Sequence, residues 1–395
     1  MNGLDEKAVL RARVLALDAE LDRVLQTITG DQLAEAVDSK SNERFAARFR
    51  STRDRFASLI KQTLKPDLVK VESVPSPTDA WARLEKVQGR CEKVVRECAA
   101  FLQGVVARIH GLDRQGSQNG FGLCDLADRL IDDLSARAQI SWWGLTIPAD
   151  EEFVEEMAHV IRIRWADVSL WNLPVVAHEF GHLVASGLKS LDKMREPFRE
   201  ILDRHKQEEQ PHLHEFFADL FALHTLGYSF AACCLLLRFN PRTAFRDGEN
   251  HPSEAKRSYF LLEALTDQAR EDYGNGGSPN AVNGLRAAWQ GALKEAGYDA
   301  EADKVAAADA RTHFEEMKAV LPHFETRLGY DGWLRTQNLV QIWREHDDPP
   351  KPGANETRAD VLNAAWLSRV SPWVTNKAEL KEIGRKAIQV FQQVH

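Results

Sequence analysis

The chain has 395 residues, of which 44% are hydrophobic and 28% charged. This length predicts two or three domains, and the composition excludes a mainly disordered chain, a collagen-like fibre and a polytopic membrane protein. The 51 basic and 59 acidic residues give a formal charge of −8, so we expect no nucleic-acid partner. Five cysteines without a CxxC pair, and a first segment without an apolar stretch, favour reduced thiols and a cytoplasmic location.

Residues 1–138 are predicted to form a helical N-terminal domain without a catalytic motif. Leucine and valine recur at helical spacing over 4–26, and similar patterns cover 41–64, 78–110 and 121–138. The segment 41–64 is rich in arginine, which fits either a solvated helix face or a docking patch for an acidic partner. A regulatory protein that binds these N-terminal helices is therefore an open prediction.

The middle of the chain, 139–272, is predicted to form the core that carries the chemistry, with 273–395 as a helical C-terminal region packed on it. Residues 139–148 and 159–168 are rich in β-branched and aromatic side chains and predict two strands, which precede a helix at 173–187. We therefore expect a mainly α fold with a small β-sheet (α+β). Further helices are predicted over 190–208, 211–237, 253–272, 280–297, 301–321, 330–346, 358–370 and 376–393.

The longest apolar stretch, 216–237, is long enough to cross a bilayer, but it contains Asp219 and His224. Ionisable side chains are costly in the membrane interior. We interpret this stretch as a buried core helix and expect no stable membrane insertion.

The strongest motif in the chain is His178-Glu179-Phe180-Gly181-His182. On a helix, histidines four residues apart point the same way, so both imidazoles can reach one Zn²⁺ at ~2.0–2.1 Å. Glu179 lies about 100° further round the helix, where its carboxylate can take a proton from a water on the metal. The motif therefore predicts His178 and His182 as metal ligands and Glu179 as a general base.

Chance and structural roles are the alternatives to this interpretation. With 13 histidines in 395 residues, about 0.03 matches to the pattern are expected by accident. The helix around the motif is otherwise apolar, and burying three titratable residues together without a purpose is costly. A pair of hydrogen-bonded core histidines or a closed structural zinc site would also explain it.

A catalytic Zn²⁺ needs a third protein ligand and one open position. Glu215 is the best candidate, because Glu215 and Asp219 interrupt an apolar run and a dication would neutralise both carboxylates. Asp219 could then accept the second proton of a ligand imidazole. Glu263 is the fallback ligand, and the weaker replacements are His212, His214 and His224.

A third element is the segment from His251 to Arg257, in which Pro252 fits the first turn of a helix. His251 at that position could donate to a developing oxyanion, which makes it a catalytic candidate. Arg257 or Tyr259 could do the same or hold a substrate carbonyl. Ordinary helix capping and surface charge explain these residues equally well.

The motifs HEFGH at 178–182, EFFAD at 215–219 and HPSEAKR at 251–257 together resemble the zincin metallopeptidases, in particular the gluzincin branch. Their order is similar to that in the CAAX-prenyl and HtpX-type membrane peptidases, and the short interval before the glutamate is similar to ImmA/IrrE-type peptidases. The resemblance covers about 140–260. It implies His178, His182 and Glu215 as ligands of one Zn²⁺ per chain, and a preceding strand within 139–167 that aligns an extended substrate.

The sequence thus predicts a soluble zinc-dependent endopeptidase that acts on a protein or peptide substrate. The large helical flanks favour a restricted substrate. The main alternative is a non-proteolytic binding or scaffold protein in which zinc clamps the helices, and a metallohydrolase of a non-peptide amide is a third.

Overall fold

The computed structural model describes residues 6–40, 42–111, 122–140, 142, 144–149, 153–155, 160–164, 169–186, 192–272, 278–298, 300–324, 328–346, 348 and 351–394. Helices dominate this part of the chain and one small sheet accompanies them, which confirms the expected mainly α fold. The chain forms two compact units. The first comprises Met1–Gln115 with Trp143–Ala166, and the second Gly116–Trp142 with Asp167–His395.

Five helices build most of the first unit. Their apolar faces, spaced at i, i+3 and i+4, bury a shared core that includes Phe45, Phe49 and Phe101. A π-helical turn at Ile60–Leu64 leads from the third helix into the fourth. The helices are α1 (Glu6–Thr29), α2 (Asp31–Lys40), α3 (Glu43–Leu59), α4 (Lys65–Glu72) and α5 (Pro77–Ile109).

The same unit contains a three-stranded sheet made of β1 (Leu145–Ala149), β2 (Phe153–Glu155) and β3 (Val160–Arg164). The strand order is β1-β3-β2, with β1 parallel and β2 antiparallel to the central β3. The two predicted strands correspond to β1 and β3, whereas β2 was not predicted. Among the described residues, β1 lies at an edge, so it is the predicted strand that leaves an edge for an added peptide.

The strands belong to the core of the N-terminal helices. Leu145, Ile147 and Val160 are buried in that core, and Arg108 of α5 donates a hydrogen bond of 2.7 Å to the carbonyl of Thr146. The first unit therefore extends across the predicted boundary at 138, because long-range packing recruits the strands. The predicted division into three domains differs from these two compact units.

The second unit is helical in its described residues. The predicted and observed bounds of these helices agree to within a few residues, with one exception. The predicted helix at 211–237 is broken at Gly227, whose φ of 64° places it outside the helical region. The helices are α6 (Leu123–Arg137), α7 (Val175–Ser186), α8 (Asp192–Arg204), α9 (Gln210–Leu226), α10 (Tyr228–Cys233), α11 (Glu254–Asp272), α12 (Ser278–Glu295), α13 (Ala300–Met317), α14 (Trp333–Glu345), α15 (Arg358–Arg369) and α16 (Lys377–Gln393).

The apolar stretch 216–237, which continues past the end of α10 at Cys233, is a core element over most of its length. Phe216, Phe221 and Phe230 are almost completely buried by other parts of the second unit. Within the described residues, none of the helices has the length and the apolar character that crossing a bilayer requires. This agrees with the interpretation of 216–237 as buried protein core, except at its end, where Leu236 and Leu237 are exposed.

Candidate metal centre

The two helices that carry the predicted ligands, α7 and α9, cross at a very short distance. A Cβ on Gly181 would lie 3.0 Å from Ala218 Cα and 3.2 Å from Ala218 O, so any larger residue would push the two helices apart by a few tenths of an ångström. Ala218 is one turn from Glu215 on α9, and Gly181 lies next to His182 on α7. The close crossing therefore brings the carboxylate of α9 to the imidazoles of α7. A glycine inside an apolar helix was the sequence signal for this approach.

His178, His182 and Glu215 form the only group of potential metal ligands found in the described residues, with one ligand atom of each lying within 4.8 Å of the others. The Nε2 atoms of His178 and His182 are 3.1 Å apart. Glu215 Oε2 lies 3.5 Å from His178 Nε2, and Glu215 Oε1 lies 3.3 Å from His182 Nε2. The structure thus brings the three predicted ligands together.

The distances between these ligand atoms suit a cation with tetrahedral coordination. Four ligands at ~2.0–2.1 Å from Zn²⁺ are about 3.3 Å from one another, close to the distances between these side chains. Glu215 Oε2 is buried within 3.1 Å of the Arg257 guanidinium, whereas Oε1 faces His182, so the carboxylate keeps lone pairs for a cation. Two imidazoles and one carboxylate are also a donor set that zinc accepts. The three residues fit one Zn²⁺.

Asp219 contacts the first of these histidines from the buried side. Its Oδ1 lies 2.9 Å from His178 Nδ1, which leaves Nε2 as the atom that faces His182 and Glu215. Burial alone would lower the pKa of His178, but the contacts with Asp219 and Glu215 outweigh it and raise the pKa to about 9. Asp219 therefore contacts the imidazole through Nδ1, and an incoming metal must displace a proton from the ring.

Arg257 of α11 completes the polar cluster in a way that the sequence did not predict. Its Nε and Nη2 donate to the two oxygens of Asp219 at 2.8 and 2.7 Å, and its Nη1 lies 3.1 Å from Glu215 Oε2. Burial would raise the pKa of both carboxyls, but Arg257 and the histidines hold both pKa values well below their usual range. Two carboxylates buried in an apolar helix are costly without a cation, and Arg257 supplies positive charge to both.

Solvent reaches the cluster from one side. The exposed fraction of the side chain is 8% for His178 and Glu215, 22% for His182 and 63% for His251. The predicted catalytic residue His251 lies on this open side, with its Nε2 3.4 Å from Glu215 Oε1. Glu179 is half-buried on α7, one residue after His178. The exposed side is where a water and a substrate can approach the three ligands.

Tyr259 lies elsewhere. It follows Arg257 by two residues on α11, about 200° further round the helix, so the two side chains cannot face the same cluster. The Tyr259 hydroxyl donates a hydrogen bond to Asp303 of α13, and burial together with this contact raises the pKa of Tyr259. Its predicted contact with a substrate gains no support from this position and stays a prediction.

The alternative ligands proposed from the sequence are not part of the ligand group in the described part of the chain, namely Glu263, His212, His214 and His224. Glu263 is 3.4 Å from Arg286 of α12. His212 donates a hydrogen bond of 3.0 Å to the carbonyl of Gly248. Of the candidate acids, Glu215 is thus the one that the fold places beside the histidine pair.

Comparison of the chain with protein-family models, with curated proteins and with solved structures finds no match. The resemblance to the gluzincins therefore depends on the three motifs and on the arrangement of their residues.

Proposed function

We propose that this protein is a zinc-dependent metalloendopeptidase. The observation that carries the proposal is the triangle of His178 Nε2, His182 Nε2 and the Glu215 carboxylate, with sides of 3.1–3.5 Å. Its size suits one Zn²⁺ per chain, and it supplies three protein ligands, the number typical of a catalytic zinc with one position left for water.

A bound Zn²⁺ would acidify a water molecule and polarise the scissile carbonyl. Glu179 takes the proton of the attacking water, the water oxygen bonds to the carbonyl carbon, and the carbon–nitrogen bond breaks as Glu179 passes that proton to the leaving amine. His251, on the exposed side of the cluster, donates to the developing oxyanion.

Two residues act through the ligands. Asp219 orients the His178 ring through Nδ1, and Arg257 holds the carboxylates of Asp219 and Glu215 in place. Arg257 is therefore a positioning residue in this proposal, because its guanidinium is already occupied by two carboxylates. The buried Arg257 has no role as a direct substrate contact here.

We further propose a restricted protein substrate and a reducing, cytoplasmic location. All five cysteines are buried and none takes part in a disulfide, which supports the second of these proposals. The basic face of α3 supports a protein partner less strongly than its composition implied. Arg50 pairs with Asp38 at 2.6 Å and Arg53 with Asp54 at 2.9 Å, so acids of the same unit neutralise part of this face.

The test combines metal content with cleavage. Purified protein should contain one zinc per chain, and Glu179→Gln should keep this zinc while losing at least 10²-fold in the cleavage of a proteome-derived peptide library, read as new amino termini. Glu208→Gln, a surface control, should cleave like the wild type. Zinc binding without cleavage by the wild type, in this library and in intact lysate, would favour the zinc-clamped scaffold. An absence of zinc would end the proposal altogether.

A further inference from the structure

A cavity of about 410 Å³ lies in the second unit, on the part of α9 that follows the metal ligands. Its walls come from α9, α11, α13 and the segments that flank α13 and α14. Leu220 and Leu223 of α9, Phe314 of α13 and Leu321 line it with apolar surface. This volume is in the range of small-molecule sites, about 300–1,000 Å³, and mostly apolar walls are typical of them.

Hydrogen bonds fix the Gln268 side chain and the backbone of His224 and Tyr330 at the cavity. The amide of Tyr330 donates to the carbonyl of His224 at 2.8 Å, and Gln268 Nε2 donates to the carbonyls of both residues at 3.3 Å. These bonds fix the Gln268 amide, so its Oε1 is left as an acceptor. This atom is buried and has no hydrogen-bond partner among the described residues. Because Oε1 is also out of reach of a water molecule, it is an internal acceptor and not part of the cavity wall.

The imidazole of His224 is the second polar group. Its ring nitrogens form no hydrogen bond with the residues that the structure describes, and burial, with a smaller contribution from Arg137, lowers the pKa of His224 to about 4. The ring is therefore neutral at pH 7 and offers one donor and one acceptor. Its centroid lies 5.2 Å from that of Phe324, so an aromatic surface continues beside it.

The charged residues at the cavity already have partners. Asp267 lies 2.7 Å from Lys318, and Asp331 lies 2.8 Å from Arg335. A charged ligand would have to break one of these pairs to gain a counter-ion, whereas an uncharged ligand loses nothing. The aromatic lining favours a flat molecule, because rings of this kind stack at 4.5–7 Å.

We propose that this cavity binds an uncharged, planar heteroaromatic molecule with a ring N–H, and that the imidazole of His224 is its polar contact. The proposal concerns a site separate from the metal ligands and does not depend on the proposed peptidase activity. Because α9 carries both Glu215 and His224, such a ligand would contact the same helix that supplies the metal ligand Glu215.

The probe is tryptophol, an uncharged indole, tested against the full-length protein by titration in solution. Three matched compounds separate the contributions: tryptamine adds a positive charge, indole-3-acetate adds a negative charge, and 1-methyltryptophol lacks the ring N–H. We expect saturable binding of tryptophol and weaker binding of all three analogues. Loss of the N–H should weaken binding about threefold to tenfold, the value of one net hydrogen bond.

Variants locate the site. Ala264→Leu fills the cavity from α11 and should weaken tryptophol at least tenfold, and His224→Phe should weaken it about threefold to tenfold. His346→Phe makes the same change at an exposed position and should have no effect. In the wild type, the methyl resonances of Leu220, Leu223 and Leu321 should shift on titration, a readout that does not require a variant to fold. Absence of saturable binding, or shifts confined to other methyl groups, would overturn the proposal.

Discussion

Replacing Arg257 by methionine should destabilise the metal-free protein far more than an ordinary surface substitution. The side chains of Glu215 and Asp219 are 8% and 0% exposed, and Arg257 contacts both at 2.7–3.1 Å. Methionine keeps the apolar stem and removes the charge, so two buried carboxylates lose their counter-ion. Removing one partner of a buried ion pair costs about 3–5 kcal/mol, and we expect a loss of this size in the free energy of unfolding.

Zinc should recover part of that loss. A dication at His178, His182 and Glu215 supplies positive charge to the same carboxylates, so the variant gains more stability from saturating zinc than the wild type does.

Low pH should also reduce the difference in stability between Arg257→Met and the wild type. The usual pKa values are 4.5 for Glu215 and 3.8 for Asp219. Without Arg257 both folded-state pKa values rise, protonation relieves the buried charge, and the difference from the wild type shrinks as the pH falls toward about 4.

The assay is urea unfolding followed by far-ultraviolet circular dichroism, once in EDTA and once at a fixed free zinc concentration. Arg246→Met is the matched control, since Arg246 is exposed, and it should cost less than about 0.5 kcal/mol. A loss below about 1 kcal/mol in EDTA, or an equal loss with and without zinc, would refute the reasoning that Arg257 serves as the counter-ion.

Three further changes test the site and its surroundings. Gly181→Ala places a methyl group against the backbone of Ala218, so it should lower the free energy of unfolding by about 1–3 kcal/mol and weaken zinc binding at least tenfold. Gly291→Ala is the control, because a Cβ at that position meets no atom within 4 Å. It should leave zinc binding unchanged and should be neutral or stabilising by up to about 1 kcal/mol. His178→Ala should lose the zinc and, with it, the zinc-dependent rise in melting temperature. His224 has a folded-state pKa of about 4 against an ordinary value of 6.5, so protonation favours the unfolded state and the protein loses stability as the pH falls from 6.5 toward 4. His224→Gln should remove up to about 3 kcal/mol of this pH dependence of the free energy of unfolding, measured by urea titration at several pH values.

Local signals in the sequence were sufficient for much of the helical architecture. Periodicity placed α5, α11, α15 and α16 to within two residues of their observed bounds. The break at Gly227 was missed because the apolar pattern continues through it. Gly227 is itself a local signal for a helix end, because its positive φ suits glycine. Tyr330, far away in the sequence, packs against the site where a Cβ would be, and periodicity does not report this contact.

Some residues of the site could likewise be predicted from local sequence, whereas others depend on long-range packing. His178 and His182 follow from helical spacing alone, and Glu215 with Asp219 could be singled out because two acids interrupt an apolar run. The pairing of Arg257 with Asp219 bridges 38 residues, and nothing in the local sequence of Arg257 distinguishes it from a surface arginine. The strands were predicted but their unit was not, because their partners are the N-terminal helices.

The charges of the cluster bear on what a bound metal could do. With neutral histidines, Glu215, Asp219 and Arg257 sum to a charge of −1, so a dication leaves the cluster at +1. Arg257 binds both oxygens of Asp219 but only one oxygen of Glu215, so Glu215 remains the carboxylate available to the metal. A ligand set with a single carboxylate preserves more positive charge on zinc than a set of thiolates would, and that charge is what acidifies a water. Under the proposed function, this ligand set would therefore suit a reactive zinc, and the zinc dependence of Arg257→Met tests whether Arg257 and the metal act on the same carboxylates.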